Sequence, residues 1–300
     1  MNASIHLLRQ VLPSVVRLKA RIPEDHPSTV ILGAEREGTA TVVDPRGLAL
    51  TANYLVIGAE IVEVTRFDGE TVTADVIGRD YSTGLAVLQL AGTPPVAIPL
   101  RASSDLDCGE DVFLVGSSGD AGPRVSSGGV SYLGAFDAYW EYQLDRAIMT
   151  TAMNPGLGGG PLCDRLGRMV GVVSLNLNEI GRFSMAIPVE CFLDRRDRLV
   201  SGRGGATSGP SRAWIGLYCT TLHEHVVIAG LMPGSPGETA GLRTGDVLLA
   251  VDGVKIDSRI ALYRQIWTHP SGERVSFRIF RNNEVRTIEV ESIDVEEMFG

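Results

Sequence analysis

The chain of 300 residues contains few of the side chains that metal sites and nucleic-acid interfaces use. It has five histidines, none of them between residues 27 and 222, and only two lysines, Lys19 and Lys255. The four cysteines lack any Cys-x-x-Cys spacing, so we predict no metal site and no cofactor. A formal net charge of −9 without a cluster of basic residues argues against nucleic-acid binding. No apolar run is long enough to cross a bilayer.

The composition and the turn signals predict an all-β protein with minor α content. Hydrophobic residues make up 44% and charged residues 21%, as in a soluble globular protein of two or three domains. Between Pro13 and Pro188, short β-type segments alternate with turn signals such as Asp68-Gly69. They fall into two sets of about six, which predicts two antiparallel barrels or sandwiches packed together.

The C-terminal third has the composition of a separate domain. The stretch 201–210, SGRGGATSGP, lacks apolar residues apart from alanine and is typical of a flexible linker. We therefore predict a first domain at 1–200, a linker at 201–210 and a second domain at 211–300. Helices are predicted at 189–200, near 236–240 and near 258–267, and the acidic tail ESIDVEEMFG is predicted to be a solvated end.

Several motifs occur in the order that a known family uses. They are PSVVRL, GLALTANYLV, GRDYSTGLAVLQL, MNPGLGGGPL and FSMAIP in the first domain, and AWIGL and GSPGETAGLRTGDVLLAVDG in the second. The chain resembles the HtrA/DegP-type serine proteases over nearly its whole length. This resemblance implies a trypsin-like double β-barrel followed by a PDZ domain, in a bacterial protein of protein quality control.

The resemblance also locates the three positions of the catalytic triad. The family segments T-N-x-H-V, T-D-L-A-V and N-P-G-N-S-G-G-P-L place its histidine, aspartate and serine at Tyr54, Gly84 and Gly158. Serine-protease catalysis needs a hydroxyl nucleophile, an imidazole base and a carboxylate that orients the base. We therefore predict that no residue of this chain is catalytic and that the protein is an inactive pseudoprotease.

Two features of the nucleophile loop qualify this prediction. Asn154, Gly156 and Gly158 match the loop whose main-chain N–H groups form the oxyanion hole in the family, and such donors need no particular side chain. Cys163, five residues after Gly158, is a second candidate nucleophile. A thiol without a neighbouring base stays protonated, so we favour a structural role for it.

The second domain carries the features of a peptide-binding module. A PDZ domain adds the C-terminus of a partner as a strand, while main-chain N–H groups of a short loop hold the carboxylate. Glycine at the third position of the loop WIGL allows close approach of the backbone. The predicted peptide-binding residues are Trp214, Ile215, Gly216, Leu217, Ile260 and Leu262.

Three functional hypotheses follow from these motifs. The preferred one is an inactive HtrA-like scaffold, adaptor or chaperone-like protein that binds protein C-termini or unfolded segments through its PDZ domain. The second is an HtrA-class serine endopeptidase with a replaced catalytic apparatus, and the third is a regulatory subunit that partners an active HtrA-type protease. We expect a cytoplasmic protein if Met1 is the native start and a periplasmic one if a signal sequence precedes it. The sequence predicts no oligomeric state.

Overall fold

The computed structural model of the protein describes residues 3–92, 96–117, 122–154, 158–177, 181–201 and 212–300. The chain forms two compact units. The first comprises residues 1–135 and 144–208, and the second comprises residues 136–143 and 209–300. The second unit thus includes a short segment whose sequence neighbours on both sides belong to the first unit.

The first half of the first unit is a closed six-stranded antiparallel barrel. Its strand order is β1-β2-β3-β6-β5-β4. The strands are β1 (Val15–Arg21), β2 (Glu35–Val42), β3 (Leu48–Ala52), β4 (Ile61–Thr65), β5 (Thr71–Asp80) and β6 (Leu85–Leu90). Alternate residues of these strands point inward, and valine, leucine and alanine fill the interior. The Asp68-Gly69 turn joins β4 to β5, with Gly69 at φ +90°.

The second half of the first unit is another closed six-stranded barrel. Its strand order is β10-β11-β12-β9-β8-β7. The strands are β7 (Asp111–Ser117), β8 (Pro123–Asp137), β9 (Gln143–Thr150), β10 (Pro161–Asp164), β11 (Met169–Asn176) and β12 (Ser184–Pro188). The helices of this unit are α1 (Ala3–Val11), α2 (Thr29–Leu32), α3 (Glu190–Leu193) and α4 (Arg196–Ser201).

The second unit contains an antiparallel sheet with its own core. The sheet has the order β13-β14-β15-β17-β18, with β16 paired to β15, so β13 lies at one edge. Its strands are β13 (Leu217–Leu222), β14 (His225–Leu231), β15 (Val247–Val251), β16 (Val254–Lys255), β17 (Arg274–Arg281) and β18 (Glu284–Glu291). The helices are α5 (Pro236–Thr239), α6 (Arg259–Ile266) and α7 (Val295–Phe299).

The predicted fold class is confirmed, because two closed barrels precede a PDZ-type sheet in the chain. The predicted helix at 189–200 is divided into α3 and α4, and α1 was not predicted. The acidic tail is not a simple solvated end, because Asp294 caps α7 and Phe299 packs edge-on against Trp214, with ring centroids 5.6 Å apart. The predicted linker lies outside the described residues except for Ser201, so the domain limits stay a prediction. No helix in the described ranges has the length and apolar character needed to span a membrane.

Candidate functional site

Tyr54 and Gly158, two of the three triad positions, lie against each other in the first unit. Tyr54 follows β3 on a short 3-10 helix, and its hydroxyl donates to the Ser174 carbonyl oxygen at 3.4 Å. A Cβ atom added to Gly158 would overlap this hydroxyl and lie 3.3 Å from the same carbonyl oxygen. The phenol of Tyr54 therefore fills the volume that a side chain at position 158 would need.

Burial also sets the protonation state of Tyr54. Loss of solvent around the ring raises the pKa of Tyr54 to about 12, since the phenolate would be poorly solvated there. The hydroxyl is therefore protonated at neutral pH and can act as a hydrogen-bond donor. It cannot accept a proton as an imidazole base does.

Gly84, at the third triad position, lies in a turn and makes main-chain hydrogen bonds. Its φ is +74°, its N–H donates to the Asp80 carbonyl oxygen at 2.8 Å, and its own carbonyl oxygen accepts from Asn53 N–H at 2.8 Å. The neighbouring carboxylate of Asp80 is buried and accepts hydrogen bonds from Ser82 and Thr83. The Asp80 carboxylate thus holds the geometry of this turn.

The nucleophile loop is described only at its two ends. Asn154 N–H donates to Ser184 Oγ at 2.7 Å, and the Gly158 carbonyl oxygen accepts from Thr39 N–H at 2.8 Å. Gly156 lies outside the described residues, so the predicted oxyanion-loop remnant stays a prediction. Cys163 is fully buried, and burial raises the pKa of its thiol far above its ordinary value.

The second unit contains a carboxylate-binding loop at the predicted position. The N–H groups of three consecutive residues, Ile215, Gly216 and Leu217, donate to Oε1 of Glu141 at 3.2, 2.7 and 2.9 Å. Gly216 has a φ of +86°, and a Cβ atom there would overlap Cβ of Ser235. Only glycine fits this conformation without strain, and the conformation turns the three N–H groups toward one point.

The carboxylate in this loop is almost entirely buried. Glu141 is 7% exposed, and burial raises the pKa of Glu141 from its ordinary value of 4.5 to about 7. The three main-chain hydrogen bonds and the charge of Arg212 act in the opposite direction, because they stabilise the ionised form. The loop is thus a site where main-chain donors compensate part of the cost of burying a carboxylate.

The predicted peptide-binding residues differ in how deeply they are buried. Ile215 and Leu217 are buried in the core of the sheet, and Trp214 is half-buried against Phe299. On α6, Leu262 is fully buried in the core and Ile260 is half-buried. Their role in binding a peptide stays a prediction.

Sequence reasoning missed Glu141, which occupies this loop, and two residues of α6 that contact the same segment as Glu141. Arg259 and Tyr263 lie one helical turn apart on α6, and both contact residues 136–143. Their i, i+4 spacing puts them on one face of the helix, which is the signal that could have identified them. Glu141 has no such signal, because it is more than 70 residues away from the loop that binds it.

Comparisons with known families agree with this architecture. Residues 38–172 match the trypsin-like peptidase domain family, and residues 213–291 match the PDZ domain family. The chain therefore carries a trypsin-like peptidase domain and a C-terminal PDZ domain.

In comparisons with individual proteins, the chain is similar to HtrA/DegP-type proteases. A probable periplasmic serine endoprotease DegP-like of Halomonas elongata is 30% identical over 272 residues, which cover 84% of this chain and 55% of that protein. The serine protease Do-like HtrA of Bacillus subtilis is 28% identical over 274 residues, covering 83% and 61%. This chain spans about half the length of the curated relatives it matches.

Solved structures of the same type share the fold. The HtrA-type protease AlgW with tripeptide has a TM-score of 0.60 at 23% identity, covering 98% of this chain and 97% of that one. The serine endoprotease from Yersinia pestis has a TM-score of 0.57 at 22% identity, covering 98% of both chains.

These relatives contradict the prediction of an inactive pseudoprotease that is not an enzyme. They are named serine endoproteases, and nothing in the comparisons indicates a loss of activity. The prediction was wrong because the proteins that match this chain over most of its length are named as serine endoproteases, whatever residues stand at the three triad positions.

Proposed function

We propose that the chain acts on polypeptides as an HtrA-type endopeptidase, with its PDZ domain binding polypeptide C-termini. The observation that carries this proposal is the convergence of the Ile215, Gly216 and Leu217 N–H groups on one carboxylate. A polypeptide C-terminus offers the same chemical group, and β13 offers an edge to which an extended peptide can add. The names of the relatives support the activity class.

Hydrolysis under this proposal needs groups other than the side chains at the triad positions. Gly84 and Gly158 carry no functional side chain, and the Tyr54 hydroxyl stays protonated. We propose that the nucleophile and base come from other groups of the protein or from an active HtrA-type protease that binds it as a partner. Unfolded polypeptides are the proposed substrates, and the relatives named periplasmic support action in the periplasm.

Binding of C-terminal peptides to the whole chain tests the first half of the proposal. A library of fluorescein-labelled peptides with free C-termini is titrated by fluorescence anisotropy, and each peptide is compared with its C-terminal amide. We expect selective binding that amidation abolishes, because the amide removes the charge that the loop accepts. Equal binding of the free-acid and amidated peptides would show that the loop does not recognise C-terminal carboxylates.

Cleavage of β-casein tests the second half. The chain is incubated with casein alone, with a binding peptide, and with an active HtrA-type protease, and fragments are quantified by mass spectrometry. Cleavage by the chain alone supports groups within this protein, whereas acceleration above the rate of the added protease supports the partner. No effect under any of these conditions would contradict the proposed activity, and peptide binding would be judged separately.

A further inference from the structure

We propose that residues 136–143 are an internal ligand of the PDZ groove, which an incoming polypeptide C-terminus must displace. The inference rests on the proposed peptide-binding function and adds its regulation. It starts from the occupant of the carboxylate loop, which is the side chain of Glu141 from this same chain. The loop has one set of three N–H donors, so Glu141 and a peptide C-terminus exclude each other.

The main chain of the segment occupies the edge strand as a peptide would. Cys219 N–H donates to the Tyr139 carbonyl oxygen at 2.6 Å, and Trp140 lies opposite Tyr218 in antiparallel register. The order along the segment brings Glu141 to the loop at the start of β13, the place where a bound C-terminus would end. Because β13 is an edge strand, it has one free side for one partner strand.

A tight turn lets a side chain replace a chain terminus. Tyr142 N–H donates to the Trp140 carbonyl oxygen at 2.6 Å, a hydrogen bond between residues two apart that closes a γ-turn around Glu141. The rings of Trp140 and Tyr142 stack with centroids 6.2 Å apart across this turn. The chain can therefore continue past the loop while only the Glu141 carboxylate enters it.

Helix α6 holds the other side of the segment. The Tyr263 hydroxyl donates to the carbonyl oxygens of Ala138 and Tyr139, both at 3.0 Å. Arg259 pairs with Asp137 at 2.7 Å and lies over the Tyr139 ring, 4.8 Å from its centroid. The two contacts of Arg259 use side chains of the segment, so the groove is shaped for this sequence as well as for a carboxylate.

Covalent attachment makes the segment a strong competitor. A tethered ligand has an effective concentration of about 1 mM, far above that of most free peptides. If the segment fills the groove for about 90% of the time, the apparent Kd of a competing peptide rises about tenfold. Peptides with low intrinsic affinity would then be excluded, and those that bind tightly would open the groove.

Substitution of Glu141 provides the direct test. The probe is a fluorescein-labelled peptide FDAYWV with a free C-terminus, which repeats residues 136–140 and places a terminal carboxylate where the Glu141 side chain lies. We expect Glu141→Ala in the whole chain to bind the probe about tenfold more tightly than wild type. Glu63→Ala, the same change at an exposed position of β4, is the matched control and should leave the Kd unchanged.

Equal affinity of wild type and Glu141→Ala for the probe would overturn the inference and leave the proposed function standing. If neither protein binds any free C-terminus, the proposed function fails, and the inference is judged by amide hydrogen exchange. Loss of protection at Gly216 and Leu217 in Glu141→Ala would still support internal occupancy, whereas unchanged protection would overturn it.

A reversible cross-link gives a second test that does not depend on the stability of Glu141→Ala. Because Cys219 N–H donates to the Tyr139 carbonyl oxygen, Trp140 and Tyr218 form a non-hydrogen-bonded pair of antiparallel residues. The Cα atoms of such pairs generally lie about 4.5 Å apart. A disulfide fits this spacing. We expect Trp140→Cys with Tyr218→Cys, in a Cys108→Ser background, to lose probe binding when oxidised and to regain it with reductant. Binding by the oxidised form would overturn the inference.

Discussion

The peptidase-like site and the PDZ groove differ in which part of the chain supplies their chemistry. At the peptidase-like site the described chemistry depends on residue identity, because the phenol of Tyr54 fills the space beside Gly158. In the PDZ groove the groups that bind the carboxylate are the main-chain N–H groups of residues 215–217, and Gly216 permits the conformation that directs them to one point. Side-chain chemistry can therefore be inferred from sequence position by position, whereas a main-chain site depends on conformation.

The largest expected effect comes from breaking the conformation of the carboxylate loop. Residue 216 has φ +86°, and the side chain of Gly216→Trp would overlap Cβ of Ser235. We therefore expect Gly216→Trp to lose peptide binding and to lower the free energy of unfolding by about 2 kcal/mol or more. Gly253→Ala is the control, since Gly253 has φ +78° but open space around it. It should cost about 1–2 kcal/mol of stability and keep binding. Peptide titration and denaturant unfolding measure both, and binding by Gly216→Trp would contradict the main-chain mechanism.

A second prediction concerns the packing of Tyr54 against Gly158. Gly158→Ala places a methyl group on the Tyr54 hydroxyl, and overpacking of this kind costs about 1–3 kcal/mol. Tyr54→Phe removes the overlapping oxygen, so the same Gly158→Ala change should cost about 1 kcal/mol less in that background. Urea unfolding of the four proteins in the double-mutant cycle measures the coupling. Additive effects would show that Tyr54 does not fill this volume.

A third prediction tests the contact between α6 and residues 136–143. Tyr263→Phe removes the hydroxyl that donates to the carbonyl oxygens of Ala138 and Tyr139, which should weaken docking of the internal segment and speed amide hydrogen exchange at Gly216 and Leu217 several-fold. Unfolding free energy should fall by about 1 kcal/mol, the usual contribution of one such hydrogen bond. Tyr132→Phe, the same change at an exposed residue of β8, is the control. Unchanged exchange at Gly216 and Leu217 in Tyr263→Phe would contradict the assignment.

The smallest effect expected is a dependence of probe affinity on pH. Burial raises the pKa of Glu141 to about 7, so protonation of Glu141 favours the docked state of the segment. This contribution to docking is fully present below pH 4.5 and is lost as the pH rises through 7. The charged or titratable groups around Glu141 are Arg212, Tyr218, Cys219 and Tyr263, and the pKa values of the last three are raised above their ordinary values.

The ratio of the probe Kd of the wild type to that of Glu141→Ala should therefore fall a few-fold between pH 5 and pH 8, as the segment dissociates more readily. The probe carboxylate enters the same loop in both proteins, so its own titration cancels from the ratio. Anisotropy titrations of both proteins across this range measure it, and a ratio that rises with pH would reverse the assigned sign.

Much of the fold was predictable because its signals are local. Short β-type segments between turn signals such as Asp68-Gly69 predicted two barrels or sandwiches, and two closed barrels are present. Helix α7 was not predicted, because its acidic residues suggested a solvated end. In the structure, Asp294 forms a capping box and Phe299 makes an apolar contact. Whether an acidic tail folds depends on a surface such as Trp214, which lies far from it in the sequence.

The sequence by itself determined that position 158 has no side chain and that Gly216 can turn three N–H groups toward one ligand. Both follow from residue identity, because glycine lacks a Cβ atom. Only the tertiary structure decided that Tyr54 fills the space beside Gly158 and that Glu141 fills the loop at Gly216. Each pairing joins residues more than 70 positions apart, and such contacts depend on how strands and loops meet in space.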